Sequence, residues 1–345
     1  MVTTLAALLF LATAQGKPDF VHSLTPADSL IRAGETHFAH LWKMSPDENN
    51  ACPRWSRDSE GLVIETVMGF GCPHARVVRA GPYDKVMTRD VSDHAMSPSF
   101  TGMDVVVFAK LGTDSCRASA QHWREAKWSL FPESKLHVED TALERLELAG
   151  ISGAMEPDAS LDGKQIVFTA TPAIDPELYV AHADGSNVRR LTVDQGYDGG
   201  GCFSPNGQLI CYQAFYPRLE TDKAIYTDLL AKHLVDTSTL DIWIVHPDGS
   251  DRGQVTDLEG TSMEPSFTPD SKRIIFSSDY QDVAGRQFDL YITKLDGGTP
   301  EKITNDPGPD CFPMFSPNGR YLAFTSGRGA KTAGAQNVFI AEWKE

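Results

Sequence analysis

Pro265-Ser-Phe-Thr268-Pro-Asp-Ser-Lys-Arg-Ile-Ile-Phe276 and Pro313-Met-Phe-Ser316-Pro-Asn-Gly-Arg-Tyr-Leu-Ala-Phe324 are two copies of one pattern: a turn between an apolar strand and a β-branched strand. Four more copies precede them. They start at Pro53-Arg-Trp-Ser56, Pro98-Ser-Phe-Thr101, Pro157-Asp-Ala-Ser160 and Gly201-Cys-Phe-Ser204. The Ser or Thr of successive copies, at 56, 101, 160, 204, 268 and 316, is spaced by 45, 59, 44, 64 and 48 residues. This is the spacing of a supersecondary unit repeated with insertions.

Each unit holds more than this hairpin. Leu178-Tyr-Val-Ala-His, the turn Asp184-Gly185 and Val188-Arg-Arg-Leu-Thr192 follow the third copy, and Ile242-Trp-Ile-Val with Asp248-Gly249 and Leu290-Tyr-Ile-Thr with Asp296-Gly297 follow the fourth and fifth. Asp-Gly is the pair that a tight hairpin with positive φ demands. Four short strands per unit, six units and no intervening helical pattern specify an all-β, six-bladed β-propeller of four-stranded blades. The sixth unit runs out of chain after its third strand, Asn337-Val-Phe-Ile-Ala-Glu-Trp343. Thr36-His-Phe-Ala-His-Leu-Trp42 lies ahead of the first unit with strand character and no hairpin partner, so it is expected to close the last blade and remove the open edge.

Leu5 to Ala14 is an apolar run of ten residues, about half of the ~20 that a spanning helix needs. With the small residues Ala12 and Ala14 at its end it predicts a signal peptide over residues 1–14, cleaved before Gln15, and a single propeller domain over 15–345. Periplasmic or secreted localisation follows. Two insertions break the period: Gly112 to Ser134, with Cys116, His122, Trp123 and Trp128, and a helical insertion at about 217–238. In the second, Ile225, Leu229, Leu230 and Leu234 are expected on the buried face, with Thr221 as the cap. Insertions in a repeat protein usually gather on its functional face.

The pattern Pro-x-aromatic-Ser-Pro-Asp/Asn-Gly, then an x-Leu-Tyr-Val strand, Asp-Gly and Leu-Thr, resembles the TolB-type (WD40-like repeat) β-propeller. The stretch from Gly196-Tyr-Asp-Gly-Gly to Trp343, including Leu229-Leu-Ala-Lys and Asp310-Cys-Phe-Pro-Met-Phe-Ser-Pro-Asn-Gly, is similar to an exported bacterial TolB-like family. The resemblance implies a periplasmic or secreted propeller that binds a protein or peptide partner as a module of the cell envelope. It implies no reaction, since one propeller architecture hosts many functions.

Charge excludes one partner class. With 31 Lys and Arg against 47 Asp and Glu, the net charge of −16 repels a phosphate backbone, so no nucleic acid partner is expected. No transmembrane segment is expected, and a closed ring is expected to be a monomer. There is no nucleophile elbow, zinc-protease motif, phosphate loop or dinucleotide fingerprint, so no catalytic residue is assigned. His37 and His40 fall three apart on a strand, hence on opposite faces and unsuited to one metal. No Cys-x-x-Cys exists among the six cysteines, but Cys202 and Cys211 flank Ser204-Pro-Asn-Gly207 at positions that would face each other. They read either as a disulfide or as two buried thiols.

Four carboxylates, Glu156, Asp198, Glu264 and Asp310, each stand two to six residues ahead of the repeat's Ser or Thr in successive units. They are expected at one mouth of the channel, with Arg328 of Ser326-Gly-Arg-Gly opening on the same mouth. Crowded there, they would hold a divalent cation such as calcium or a basic peptide segment; alternatively each accepts backbone N–H groups to fix its own loop. No other cofactor is implied. A binding or scaffolding propeller, a part of an envelope assembly, and a propeller-type polysaccharide lyase or glycoside hydrolase remain as readings. The last would use His94, His122, Trp123 and Trp128 as a sugar platform.

Overall fold

The computed structural model describes residues 20–44, 49–67, 73–80, 86–102, 105–112, 126–139, 145–147, 151–172, 175–282 and 287–345. The leader expected over 1–14, and Cys116, His122 and Trp123 of the first insertion, lie outside these. Six antiparallel sheets form the blades, five of them four-stranded and the last extended to five strands. Their innermost strands are Asn50–Trp55, Ala95–Phe100, Met155–Ala159, Tyr197–Phe203, Ser262–Phe267 and Asp310–Phe315.

The Ser/Thr of the repeat closes the first hairpin of each blade by chemistry that the sequence pattern encodes. In blade five, Thr268 Oγ1 donates to Asp270 Oδ1 at 2.6 Å and accepts from the Arg273 N–H at 3.0 Å, while Asp270 Oδ1 accepts from the Lys272 N–H at 3.1 Å. Ser160 with Asp162, Ser204 with Asn206 and Ser316 with Asn318 repeat the arrangement. The turn needs one residue at positive φ, and Gly163, Gly207 and Gly319 supply it. In blade one the glycine comes late, and Ser59 takes that conformation instead, with φ 61°.

Closure is as the sequence predicts. Phe38–Lys43 pairs antiparallel with Asn337–Trp343, placing Leu41 opposite Ala341 and Trp42 opposite Ile340. A further two-residue strand, Thr25–Pro26, pairs with it and makes this blade five-stranded.

The core is six wedges, one between each pair of neighbouring blades. Ile166, Phe168, Val107 and Leu136 fill the wedge between blades two and three, whereas Val167, Leu178, Phe203 and Tyr212 fill the next. Neighbouring residues of one strand thus serve different wedges. The second strands are buried on both faces and read as unbroken apolar runs such as Ile-Val-Phe, not as the polar/apolar alternation expected of half-buried strands. Among the described residues no helix is long and apolar enough to cross a membrane.

Both insertions follow the second strand of their blade, two in one case and four in the other, so both leave from the same face. They meet there: Lys127–Ser129 pairs antiparallel with Leu234–Asp236, setting Trp128 opposite Val235. The helix of the second insertion, Glu220–Leu230, packs beside this ribbon through Tyr226, Leu229 and Leu230. Its orientation departs from expectation. Ile225 is 60% exposed and Tyr226 is the buried residue, because the Tyr226 hydroxyl turns that face inward to donate to Asp175 Oδ1 at 2.5 Å. Thr221 lies inside the helix instead of capping it; the cap position is Leu219, without a side-chain bond.

Candidate functional site

Every innermost strand breaks its ladder with a β-bulge at the same place, seen as a register shift in all six first hairpins. The bulge residue has positive φ in each: Cys52 at 52°, Ser97 at 49°, Glu156 at 52°, Gly200 at 63°, Glu264 at 55° and Phe312 at 55°. Five of the six are followed by proline, which is why the repeat begins with that residue. A bulge leaves a main-chain N–H without a ladder partner, and the preceding blade supplies one. The Cys52 N–H donates to Thr325 Oγ1 at 3.2 Å, the Ser97 N–H to Glu65 Oε1, and the Gly200 N–H to Glu156 Oε2 at 2.8 Å. The Glu264 N–H donates to Gln213 Oε1 at 2.7 Å and the Phe312 N–H to Glu264 Oε2 at 2.9 Å. Around the axis these bonds stitch blade to blade.

This geometry redistributes the four candidate carboxylates. Glu156 and Glu264 sit within strands at the bulges and line the channel. Asp198 and Asp310 sit two residues earlier in their strands, are fully buried, and do not line the cavity described below. Asp198 accepts a short hydrogen bond from the Tyr216 hydroxyl. Asp310 Oδ2 is bound by Arg328 Nη2 at 2.9 Å, and Arg328 is also forked onto Glu35. The expectation that the four converge without a neutralising partner therefore fails: Arg328 is spent in a buried ion-pair cluster, and Glu156 and Glu264 are spent between blades. Burial drives the Asp310 carboxyl up to about 7, and the Arg328 guanidinium works against that rise.

Cys202 and Cys211 do face each other in the ladder, as expected, but both are free thiols. Each sulfur has a main-chain oxygen beside it, Cys211 Sγ with Cys202 O at 3.6 Å and Cys202 Sγ with Phe203 O at 3.7 Å, and the two thiols also interact with each other, which raises the Cys202 thiol. Of the two readings left open, the structure holds the second: two buried thiols of the wedge between blades four and five.

Beneath the ribbon lies a cavity of about 320 Å3. The ribbon contributes Lys127, Trp128 and Val235; the bulges contribute Cys52, Ser97, Glu156, Gly200, Glu264 and Phe312; and Arg54, Glu65, Asp158 and Gln213 complete the polar lining. Of the proposed sugar platform's described residues, Trp128 reaches it and His94 does not. Sequence reasoning missed Arg54 and Asp158, although both occupy the variable x of Pro-x-aromatic-Ser, the column that faces the axis. It missed Glu65 and Gln213 because they lie on second strands, where the apolar run hides them. Among the described residues no three of His, Cys, Asp and Glu come together as a metal-holding group.

Electrostatically the cavity is acidic. Burial pushes the Glu65 carboxyl up to about 7 and that of Glu264 up to about 8, with the hydrogen bonds from Ser97 and from Phe312 and Ser277 pulling back. Glu156 and Asp158 are raised by the same cause. A consequence for stability follows from the sign. A carboxyl at about 8 in the folded chain and about 4.3 unfolded holds its proton longer when folded, so stability falls as pH rises between those values, by up to about 1.4 kcal/mol per pH unit. Glu264→Gln keeps an oxygen for the Phe312 N–H and the Ser277 hydroxyl and removes the charge. Its stability advantage over the parent is expected to grow by about 4 kcal/mol between pH 5 and pH 8.5, as read by urea unfolding. Parallel pH profiles for the two proteins would show that Glu264 is ionised throughout.

The architecture and the comparisons agree on the class. Residues 236–340 match the family model of the TolB beta propeller domain. No curated protein matches the chain. Among solved structures, a putative TolB from Agrobacterium tumefaciens aligns at 16% identity and a TM-score of 0.55 over 86% of this chain and 91% of that one. TolB from Acinetobacter baumannii aligns at 14% identity and a TM-score of 0.54 over 76% of this chain, but only 56% of the TolB chain is covered. A gluconolactonase from Xanthomonas campestris aligns at 14% identity and a TM-score of 0.58 over 93% of this chain and 97% of that one. The chain is a six-bladed β-propeller whose residues 236–340 match the TolB beta propeller domain; at these identities the structural likenesses establish the fold alone.

Proposed function

We propose that this protein is an exported binding module of the cell envelope, periplasmic or secreted, which takes a segment of a protein or peptide partner into the roofed end of its channel. The supporting observation is the ribbon itself. Two insertions from non-adjacent blades pair with each other over a cavity of about 320 Å3, within the size of ligand pockets, whose lining brings chemistry from all six blades. A ring that served only as a scaffold has no need of such a roof. The second reading, a sugar-acid lyase or hydrolase, is favoured by Glu264, a carboxyl at about 8 beside the cavity that would be protonated and able to donate a proton at neutral pH.

Cys52 is a free thiol in the lining and reports on access. Peptides selected from a random displayed library against the immobilised protein are expected to protect Cys52 from N-ethylmaleimide at least fivefold, and to lose this protection in Trp128→Ala. Protection by oligogalacturonides or aldonolactones together with their turnover would replace the binding reading with the enzymatic one. Protection by calcium chloride, lost in Glu156→Gln, would assign the channel to a divalent cation instead.

A further inference from the structure

The ion left uncommitted in the cavity is a cation. Arg54 lines it, and apart from Nη1 donating to the Pro53 carbonyl at 3.2 Å its guanidinium has no hydrogen-bond or ion-pair partner among the described residues. This is unusual in its surroundings, because Asp158, Glu264, Glu65 and Glu156 all lie near enough for their charges to act on it or its charge on them. They do not close on it because each is held elsewhere. Glu65 takes the Ser97 N–H, and Glu156 takes Gly200 and Thr169. Asp158 takes Ser99 Oγ at 3.1 Å and the Phe203 N–H at 3.1 Å, and Glu264 takes Phe312 and Ser277. Every one of these bonds crosses from one blade to the next or ties two strands of one blade, so turning any of these carboxylates to Arg54 would give up a bond that joins blades or strands.

A guanidinium presents a planar fork that matches a carboxylate in two parallel hydrogen bonds. We propose that Arg54 is the anchor of the ligand, and that the group it receives is a carboxylate: a peptide's terminal or side-chain carboxyl, or the acid of a uronic sugar. This rests on the channel being the binding site, and it replaces the cation or basic segment expected from sequence. The acidic lining does not forbid an anion. Burial holds Glu65 near half-protonation at neutral pH and Glu264 largely protonated, while Lys127 adds positive charge from the roof. Met96, Met155, Trp128 and Phe131 offer an apolar wall for the body of the ligand.

Two measurements test the assignment. In the first, Cys52 is alkylated at pH 8.5 by iodoacetate and by iodoacetamide, reagents that differ in a carboxylate, and the products are quantified by peptide mass spectrometry. In both, the Cys52 sulfur displaces iodide. The iodoacetate-to-iodoacetamide rate ratio at Cys52 is expected to exceed that of free glutathione by at least tenfold, to fall to the glutathione value in Arg54→Gln, and to be partly kept in Arg54→Lys. A ratio that Arg54→Gln leaves unchanged, or one below that of glutathione, overturns the proposal. Burial pushes the Cys52 thiol well up and slows both reagents alike, so only their ratio is read; if Cys52 is untouched by both, the calorimetric comparison below decides the assignment. In the second, calorimetry compares digalacturonate with its methyl ester, and an acetylated tripeptide acid with its amide. Tighter binding of the acids by tenfold or more, lost in Arg54→Gln, supports the anchor, and which acid binds identifies the source. Preference for amide, ester or an arginine-bearing amide leaves channel binding standing and removes the carboxylate.

Discussion

Arg328→Met is expected to cost about 3–5 kcal/mol of folding stability at pH 8, because it strips the only cation from a buried pair of carboxylates. The Arg328 side chain has no exposed surface, nor do those of its partners Glu35 and Asp310. Its Nη1 and Nη2 meet Glu35 at 3.2 and 3.0 Å, Nη2 meets Asp310 at 2.9 Å, Nε donates to Ser326 Oγ at 3.0 Å, and the guanidinium lies 5.0 Å from the Phe324 ring centroid. Methionine fills the space and can pack on Phe324 and Phe339, so lost volume is a small part of the effect. The cost is two desolvated negative charges, and it has a pH signature. Asp310, already pushed to about 7 by burial, rises further once the guanidinium is gone, so at pH 5 it is neutral in the variant and the penalty shrinks. Urea unfolding at pH 8 and pH 5 reads this difference. A loss below 1 kcal/mol, or an equal loss at both pH values, would mean that the cluster contributes packing only.

The same cluster explains why Asp310 is a poor handle on function. An Asp198 and Asp310 double replacement with Asn would disturb a buried ion pair and a buried Tyr216 hydrogen bond before it touched any ligand. Glu35 also accepts the Arg32 N–H at 2.7 Å and the Asn305 N–H at 3.0 Å. Arg328 therefore pins the segment that precedes the closing strand to blades five and six, a structural task on the same face as the cavity.

The repeat was legible because its chemistry is local. Thr268, Asp270 and their equivalents close a turn within six residues, and Asp-Gly pairs close the next, so six blades can be counted without tertiary information. The closing strand was legible by subtraction, since blade six lacks one strand and one strand lacks a blade. The site was less so. Glu156 and Glu264 were found for a valid reason, their place at the start of innermost strands, but Asp198 and Asp310 share that place in sequence only to within two residues. The bulge divides them: one residue more or less along a strand exchanges the channel for the interior of a blade. Arg54 was passed over because a single arginine carries no motif. Its meaning depends on four carboxylates from other blades being already committed, which is a property of the ring and not of any segment.

Deleting Thr36 to Lys43 is expected to make the protein aggregate. Phe38 and Leu41 pack with Phe324 and Phe339 between blades five and six, and Trp42 packs with Tyr321 and Trp55 between blades six and one. The strand therefore contributes to two wedges at once, at the only seam of the ring that joins segments distant in sequence. Burying side chains of this size is worth about 1.5–3 kcal/mol each, and three or four of them amount to most of the stability of an ordinary domain. The deletion also uncovers Asn337–Trp343, a seven-residue strand whose first five residues are buried in the intact protein. Its freed N–H and C=O groups and its Val-Phe-Ile-Ala side chains form the kind of edge that pairs with another copy. A Leu41→Ala control separates the two effects. Truncating one buried leucine should cost about 2–5 kcal/mol yet leave the edge covered, so the protein melts earlier and stays monomeric. Size-exclusion chromatography with light scattering, followed by thermal unfolding, distinguishes the outcomes. A deletion variant that elutes as a monomer with the parental melting temperature would show that the ring holds without its closing strand, and that the packing of Phe38, Leu41 and Trp42 adds nothing to it.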